Sequence, residues 1–375
     1  MKKLLYVCKY ALHHKQSLKV KFDGQLQGFE KLGFDVYYLA FDEHKYYLMH
    51  GQEKQALRSI NAASERYLHT FALIDLYKCA IQALQTLHID ILYVRNDPLE
   101  FSGLKMYRLA KKQGCKIICE VPTYPLYKSA VMNPLFQMAL KISDYFSNAA
   151  GKYIDYYAVI GETTNTFNGR PAINISNGID VEKYSLRCPA SDDTIHMIGV
   201  ASMSIWQGFD RAIAGLANYH GTEKIHLHFV GDEGDGSLSN WKSMVSQYQL
   251  EDSVSFYPAM YGKELDSLMN MVDVGFSPLA WHRNGLKAGS ALKVREYMSR
   301  GLPFIYTVQD ACLTEQLPYL LQMPNDDTPL NMEKLVAFAK QYKNNQEIPT
   351  QMRNYAKTHI TWEKQLQKLF LNKPA

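Results

Sequence analysis

The 375-residue sequence has no run approaching the roughly 18 apolar residues of a membrane span. Its opening, MKKLLYVCKYALHH, lacks the apolar core and cleavage site of a secretory leader and reads instead as a buried first strand. Six cysteines stand at irregular positions and give no disulfide framework. Cys115 and Cys119 form no CxxC pair and have no histidine pair behind them, so reduced core thiols in a cytoplasmic protein are expected. Lysines are scattered and the net charge is only +4, which does not imply nucleic acid as a partner. No Asp-x-Asp pair occurs: Asp232 and Asp235 are three apart and Asp326-Asp327 are adjacent, so no metal site or other cofactor is expected. What is present is the composition of a globular protein, 47% hydrophobic and 21% charged, with length for two domains.

The pattern is an alternation of strands and helices. Residues 3–8, 35–41, 90–94, 116–121, 156–160 and 172–175 read as strands, and helices are expected at 17–32, 71–87, 103–113 and 133–153. The polar, turn-rich stretch SNGIDVEKYSLRCPASDDT reads as a linker, after which the alternation restarts. Strands at 195–201, 225–230, 254–257, 274–278 and 304–307 alternate with helices at 208–219, 237–249 and 262–270, and helices at 332–343 and 350–370 end the chain. The expectation is an α/β protein of two doubly wound sheets, 1–180 (with a tail helix at about 356–375) and 190–355, with sites at the carboxyl ends of strands.

The most informative stretch is His282–Pro303, HRNGLKAGSALKVREYMSRGLP. Gly289-Ser290 reads as a helix start with Ser290 as N-cap, and Gly301 followed by Pro303 as its end. Lys293 and Glu296, three apart, lie one turn inside. A helix N-terminus with a lysine and a deeper carboxylate suits an anion with a hydroxylated group beside it.

Several segments resemble the GT-B glycosyltransferases, and within them the retaining family 4 ("group 1") enzymes. Asn177-Gly178-Ile179-Asp180 resembles the family's NG[VI]D, Trp206-Gln207-Gly208-Phe209-Asp210 its xKGxD, and Val230-Gly231-Asp232-Glu233-Gly234 its VGxGP. Leu292-Lys293-Val294-Arg295-Glu296-Tyr297-Met298 followed by Gly301-Leu302-Pro303 resembles its EAMAxGxP segment, and Trp362 the aromatic that ties the tail back to the first domain. The matches follow the family's order over nearly the whole chain. Glu120-Val121-Pro122-Thr123-Tyr124-Pro125 and the LKxREY form resemble a branch found in bacterial envelope-polysaccharide clusters.

The resemblance implies a transferase that moves a sugar from a nucleotide-sugar, UDP-sugar favoured, to a glycan or lipid-linked glycan acceptor. No cofactor is implied beyond this co-substrate, and the place of action is the cytoplasm or the inner face of the membrane. Glu296 would accept from the ribose hydroxyls. Lys293, Lys287 and Arg283, the Gly289, Ser290 and Leu292 backbone, and the Gly231 and Gly234 turns would approach the donor. Catalysis would involve Lys293 with Arg95 and Glu120, and the acceptor side would be formed by Arg95, Glu120, Tyr124 and His13 beside His14. The family is thought to use front-face attack, the leaving phosphate taking the acceptor proton. Two features depart from the pattern: Ser202 and Gln207 stand where the family carries Arg and Lys, and Ala288 replaces the first glutamate of its E-x7-E pair. They keep open a second reading, a non-catalytic GT-B subunit that binds sugar or partners another transferase. The segment Asn133–Tyr157, rich in Met, Leu, Phe and Tyr, reads mostly as core, with an interfacial helix for peripheral membrane contact as the alternative.

Overall fold

The computed structural model describes residues 1–12, 17–42, 44–59, 72–97, 100–125, 134–188, 192–313 and 317–371. His13 and His14 lie outside the described residues. The chain forms two compact units, Met1–Gly178 with Trp362–Ala375, and Ile179–Thr361.

The first unit runs β1 (Lys2–Ala11), α1 (Ser17–Lys31), β2 (Phe34–Asp42), β3 (Lys45–His50), β4 (Glu53–Ser59), α2 (Ala72–Thr86), β5 (Ile91–Arg95), α3 (Phe101–Lys112), β6 (Lys116–Tyr124), α4 (Pro134–Gly151), β7 (Tyr156–Gly161), β8 (Thr166–Phe167) and β9 (Arg170–Ile175). Its sheet has the order β4-β3-β2-β1-β5-β6-β7-β9-β8, parallel from β2 through β9, with antiparallel pairs only at the edges. Both faces of β1 are covered, which is why Leu4 to Cys8 are buried without alternation. One face carries Tyr6, Phe29, Tyr93 and Ile118 under α1 and the C-terminal helix. The other carries Leu92, Ile117 and Val121 under α2, α3 and α4.

The second unit runs β10 (Thr194–Val200), α5 (Phe209–Ala217), β11 (Lys224–Val230), α6 (Ser237–Gln247), β12 (Val254–Tyr257), α7 (Lys263–Met271), β13 (Val274–Phe276), α8 (Leu292–Arg300), β14 (Phe304–Tyr306), β15 (Leu320–Gln322), α9 (Met332–Tyr342) and α10 (Ile348–Tyr355). Its six strands are all parallel, in the order β12-β11-β10-β13-β14-β15. The last helix, α11 (Trp362–Leu371), belongs to the first unit.

The single helix expected over 350–370 is three pieces: α10, a π turn at Ala356–Ile360, and α11. Ala356 and Ile360 are buried in the second unit's core, whereas Trp362, Leu366 and Leu369 are buried in the first unit's. One continuous apolar pattern therefore serves two cores, and Thr361 is extended to separate them. The return to the first unit falls at Trp362 rather than near 356.

The second sheet carries an unexpected row of histidines. His196 Nδ1 lies 3.0 Å from His228 Nε2, and His228 Nδ1 lies 3.2 Å from the Tyr257 hydroxyl. His226 stacks on His228 with ring centroids 4.6 Å apart, and the other nitrogen of His196 faces Asp192 at 3.0 Å. Burial, reinforced by His226 and His196, lowers the pKa of His228 to about 3. His228 thus stays neutral in the folded protein while the unfolded chain takes up a proton near pH 6.5. The second unit should lose about 1 kcal/mol of stability per pH unit below about 6.5, and none of this term above it. Urea unfolding between pH 7.5 and 5, read from the tryptophans at 206, 241 and 281, checks this. His228→Gln should flatten the pH dependence, and an unchanged slope would assign it elsewhere.

Candidate functional site

In the second unit the candidate residues gather around the start of α8. The helix begins at Leu292 with Ala291 in the N-cap position, and no side chain caps it from there. Ser290 is not the cap that the sequence suggested. Its hydroxyl accepts from Arg295 at 2.7 Å, and the fully buried Arg295 also donates to Asp310 at 2.7 Å. The Gly289 amide, expected to face an anion, donates to the Gln309 carbonyl at 2.9 Å. Gly289 itself is fixed by close approach: a Cβ there would lie 2.8 Å from the Trp281 ring.

Lys293, in the first turn, donates to Gln207 Oε1 at 2.7 Å and lies 5.5 Å from the Phe209 ring. Among the described residues no carboxylate pairs with it, and burial lowers its pKa to about 7. Lys293 and Gln207, 86 positions apart, are thus brought together. One turn deeper, Glu296 is 18% exposed at the side chain and accepts from Arg300 Nε at 2.8 Å. Burial raises its pKa, and Arg300, itself 2.6 Å from Asp266, opposes that shift. Glu296 therefore does not stand alone for a ligand as the sequence suggested.

Two expected cations differ from each other. Lys287 is exposed. Arg283 is committed: it binds both carboxylate oxygens of Asp210 at 2.9 and 2.7 Å, Asp327 at 2.8 Å and the Ile205 carbonyl at 2.8 Å. Its charge is already answered by two carboxylates, so its place is as a brace between loops rather than a diphosphate contact.

The glycine turn after β11 packs against the loop after β10. Met203 N–H donates to the Asp232 carbonyl at 2.8 Å and Gly234 N–H to the Met203 carbonyl at 3.1 Å. Gly231, at φ 147°, could carry no Cβ, since one would fall 1.7 Å from the Ala201 carbonyl oxygen. Gly234 sits against the hydroxyls of Ser202 and Ser204. The backbone amides of Gly234, Asp235 and Gly236 converge on the protein's own Glu233 carboxylate at 2.9, 3.2 and 2.8 Å. These glycines are therefore required by loop packing in the structure as it stands.

In the first unit, Arg95 ends β5 as expected, but Glu120 is not at a strand end. β6 continues to Tyr124, and Glu120 is wholly buried under α1. It accepts from Lys21 at 2.8 Å, from the Tyr93 hydroxyl at 2.6 Å, from Gln25, and from Arg95 at 3.4 Å. Burial alone would raise its pKa, yet Lys21, Arg95 and these hydrogen bonds outweigh that and hold it at about 2. Glu120 has no exposed surface there and is the hub of a buried polar cluster that includes Arg95. Arg95 is 15% exposed and also faces Asp97 at 4.0 Å. Tyr124 lies at the end of β6 with its ring edge-on to Phe167.

Sequence reading missed the buried Arg295–Asp310 pair and the half-buried Arg300–Asp266 pair that seat α8. The signal for the first was the arginine within LKVREYM, on the helix face that packs inward.

The architecture is that of GT-B glycosyltransferase structures. The chain is similar to HepE from Anabaena in complex with UDP (14% identity, 99% of each chain, TM-score 0.63). It is also similar to sucrose-phosphate synthase from Thermosynechococcus elongatus (13% identity, 99% of this chain and 98% of that one, TM-score 0.69). The lipopolysaccharide outer core galactosyltransferase WaaB in its apo form matches as well (14% identity, 100% of each chain, TM-score 0.60). Residues 187–359, almost all of the second unit, match the family model for glycosyl transferases group 1. The neighbours show the fold, and the family match lies within the second unit. No curated protein matches the sequence.

Proposed function

We propose that the protein is a retaining, metal-independent hexosyltransferase of family 4. It would transfer a sugar from a UDP-sugar to a cell-envelope, capsular or exopolysaccharide acceptor. One observation carries this reading: Lys293, with no carboxylate partner among the described residues, placed by burial at a pKa near neutrality in the first turn of a helix with no side-chain cap. Lysine and helix N-terminus are two positive features within one turn of each other, and a diphosphate would answer both. Gln207, in place of the family's cation, holds the Lys293 amine through its carbonyl oxygen. In this reading Lys293 and the backbone at Ser290–Leu292 hold the diphosphate, and Glu296 receives the ribose hydroxyls. The leaving phosphate, stabilised by Lys293, takes the acceptor proton. Arg95 and Tyr124 serve the acceptor, with Glu120 positioning Arg95. HepE, one of the similar structures, holds UDP.

Calorimetric titration of UDP and of uridine tests this. Lys293→Ala should weaken UDP binding by about 1.5–3 kcal/mol and uridine binding far less. A bound diphosphate raises the Lys293 pKa, so wild-type UDP affinity should fall as pH rises above about 7, by up to about tenfold per unit. The variant should lose this dependence. Binding should persist in EDTA. Equal losses for UDP and uridine, or a chelator-sensitive wild type rescued by Mn²⁺, would overturn the reading.

A further inference from the structure

A small aromatic cluster stands beside the start of α8, apart from the second unit's large core. Trp281 and Leu286 follow β13, Val308 follows β14, and the half-buried Trp206 and Ala291 pack against them. Trp206 follows β10, and its ring centroid lies 5.3 Å from that of Trp281, the two planes inclined at 45°. The carboxyl ends of β10, β13 and β14 thus send apolar side chains to one place, where parallel sheets bind ligands.

The cluster meets the candidate donor site on two sides. Trp206 precedes Gln207, the partner of Lys293. The Trp281 ring lies against Gly289, two residues ahead of Ala291, the N-cap residue of α8. The turns that carry the two tryptophans are stitched together. Leu279 N–H donates to the Gln207 carbonyl at 2.9 Å, and Ala280 N–H to the Trp206 carbonyl at 3.3 Å. Arg283, two residues after Trp281, donates to the Ile205 carbonyl at 2.8 Å, just ahead of Trp206. A ligand therefore does not have to order this wall before packing on it. None of the side chains in the cluster carries a charge, a hydroxyl or a carboxamide. Such a surface answers C–H groups and methyls rather than hydroxyls.

A nucleotide-sugar has its nucleoside on one side of the diphosphate and its hexose on the other. With the ribose at Glu296, one turn inside α8, the hexose falls towards the chain leading into the helix, where Trp281 packs on Gly289. We propose that Trp206 and Trp281 form the wall on which the donor hexose packs, selecting a hexose that bears a methyl group. Two sources supply that methyl, the acetamido group of an N-acetylhexosamine or C6 of a 6-deoxyhexose. This inference rests on the donor-site reading above and names the class of sugar the site takes.

Calorimetric titration of the full chain with UDP, UDP-glucose, UDP-N-acetylglucosamine and UDP-6-deoxyglucose tests it. One of the two methyl-bearing donors should bind about tenfold tighter than UDP-glucose, the scale of an added methyl in an apolar pocket, and which one does identifies the source. Trp206→Ala should erase that preference while UDP binds as it does to wild type. Trp206→Phe keeps an aromatic ring and should keep most of the preference. UDP affinity in each variant reports whether the loop that holds Gln207 is still in place. Methyl-bearing donors that bind no tighter than UDP-glucose would overturn the proposal, as would a preference that survives Trp206→Ala. Equal losses for UDP and the UDP-sugars in both variants would also overturn it, making Trp206 a structural support of the loop. A wild type that binds no UDP would instead remove the donor-site reading itself.

Discussion

Glu120→Gln should destabilise the first unit by about 3–5 kcal/mol, the range for removing one partner of a buried ion pair. Glu120 is wholly buried and Lys21 is 3% exposed, so neither charge can turn to water when the other is lost. Lys21 comes from α1, Tyr93 and Arg95 from β5, and Glu120 from β6, so the carboxylate joins three elements through short bonds. The variant amide could accept from Lys21 only as a dipole, and its own N–H groups would face donors at Gln25 and Tyr93. Urea unfolding followed by Trp362, the first unit's single tryptophan, measures the loss. Lys21→Met with Glu120→Gln should recover part of it, because an apolar side chain leaves no stranded charge. The sign of the pH effect follows from the depressed carboxylate. Its stabilisation is complete above about pH 4.5, where an unfolded glutamate ionises, and is lost as pH falls towards 2. A loss below about 1 kcal/mol would show that the cluster is solvated.

Trp362→Ala should cost a similar amount, about 3–5 kcal/mol, confined to the first unit. The indole is buried beneath α1 where Gly24 and Gly28 leave room for it: a Cβ on either would fall 2.3 or 3.0 Å from its side chain. Gly178 approaches the Trp362 backbone so closely that a Cβ would lie 2.6 Å from its Cα. Three glycines line part of the site and offer no side chain to relax into the space, which raises the cost of the cavity. The Lys21 amine lies 5.9 Å from the indole centroid and would lose that contact too. Scanning calorimetry should show one lowered transition, while fluorescence of the second unit's tryptophans reports an unmoved one. A shift of both transitions together would mean that the tail does not belong to the first unit alone.

Both sites explain what was legible in the sequence and what was not. The strand–helix alternation was readable because buried parallel strands such as LLYVC and IHMIGV are largely apolar runs that follow charged or polar residues. The hairpin of β3 and β4 was not, since EKQALRS is exposed and polar and carries no pattern of burial. Lys293 and Glu296 were found because helix periodicity fixes which residues share the first turns. Their partners were not, because Gln207 is distant in sequence and Arg300 reads equally well as a C-terminal helix charge. Glu120 looked like a strand-end residue because KIIC is the apolar part of β6; the strand continues through VPTY, and alternation turns the carboxylate inward. Arg283 looked available because nothing local reveals that Asp210 and Asp327 converge on it.

The central claim, a nucleoside diphosphate held at the start of α8 with its ribose on Glu296, is tested most directly by titrating UDP and 2′,3′-dideoxy-UDP into wild type and Glu296→Gln. The carboxylate can accept from both vicinal hydroxyls with its two oxygens, and the dideoxy ligand has neither. The expected result is a loss of roughly 1–3 kcal/mol for UDP in the variant and almost none for the dideoxy ligand. Arg300 keeps its bond to Asp266 in the variant, so the helix should remain folded. Equal losses for the two ligands, or a variant that binds UDP as tightly as wild type, would contradict the assignment and leave Glu296 a structural partner of Arg300.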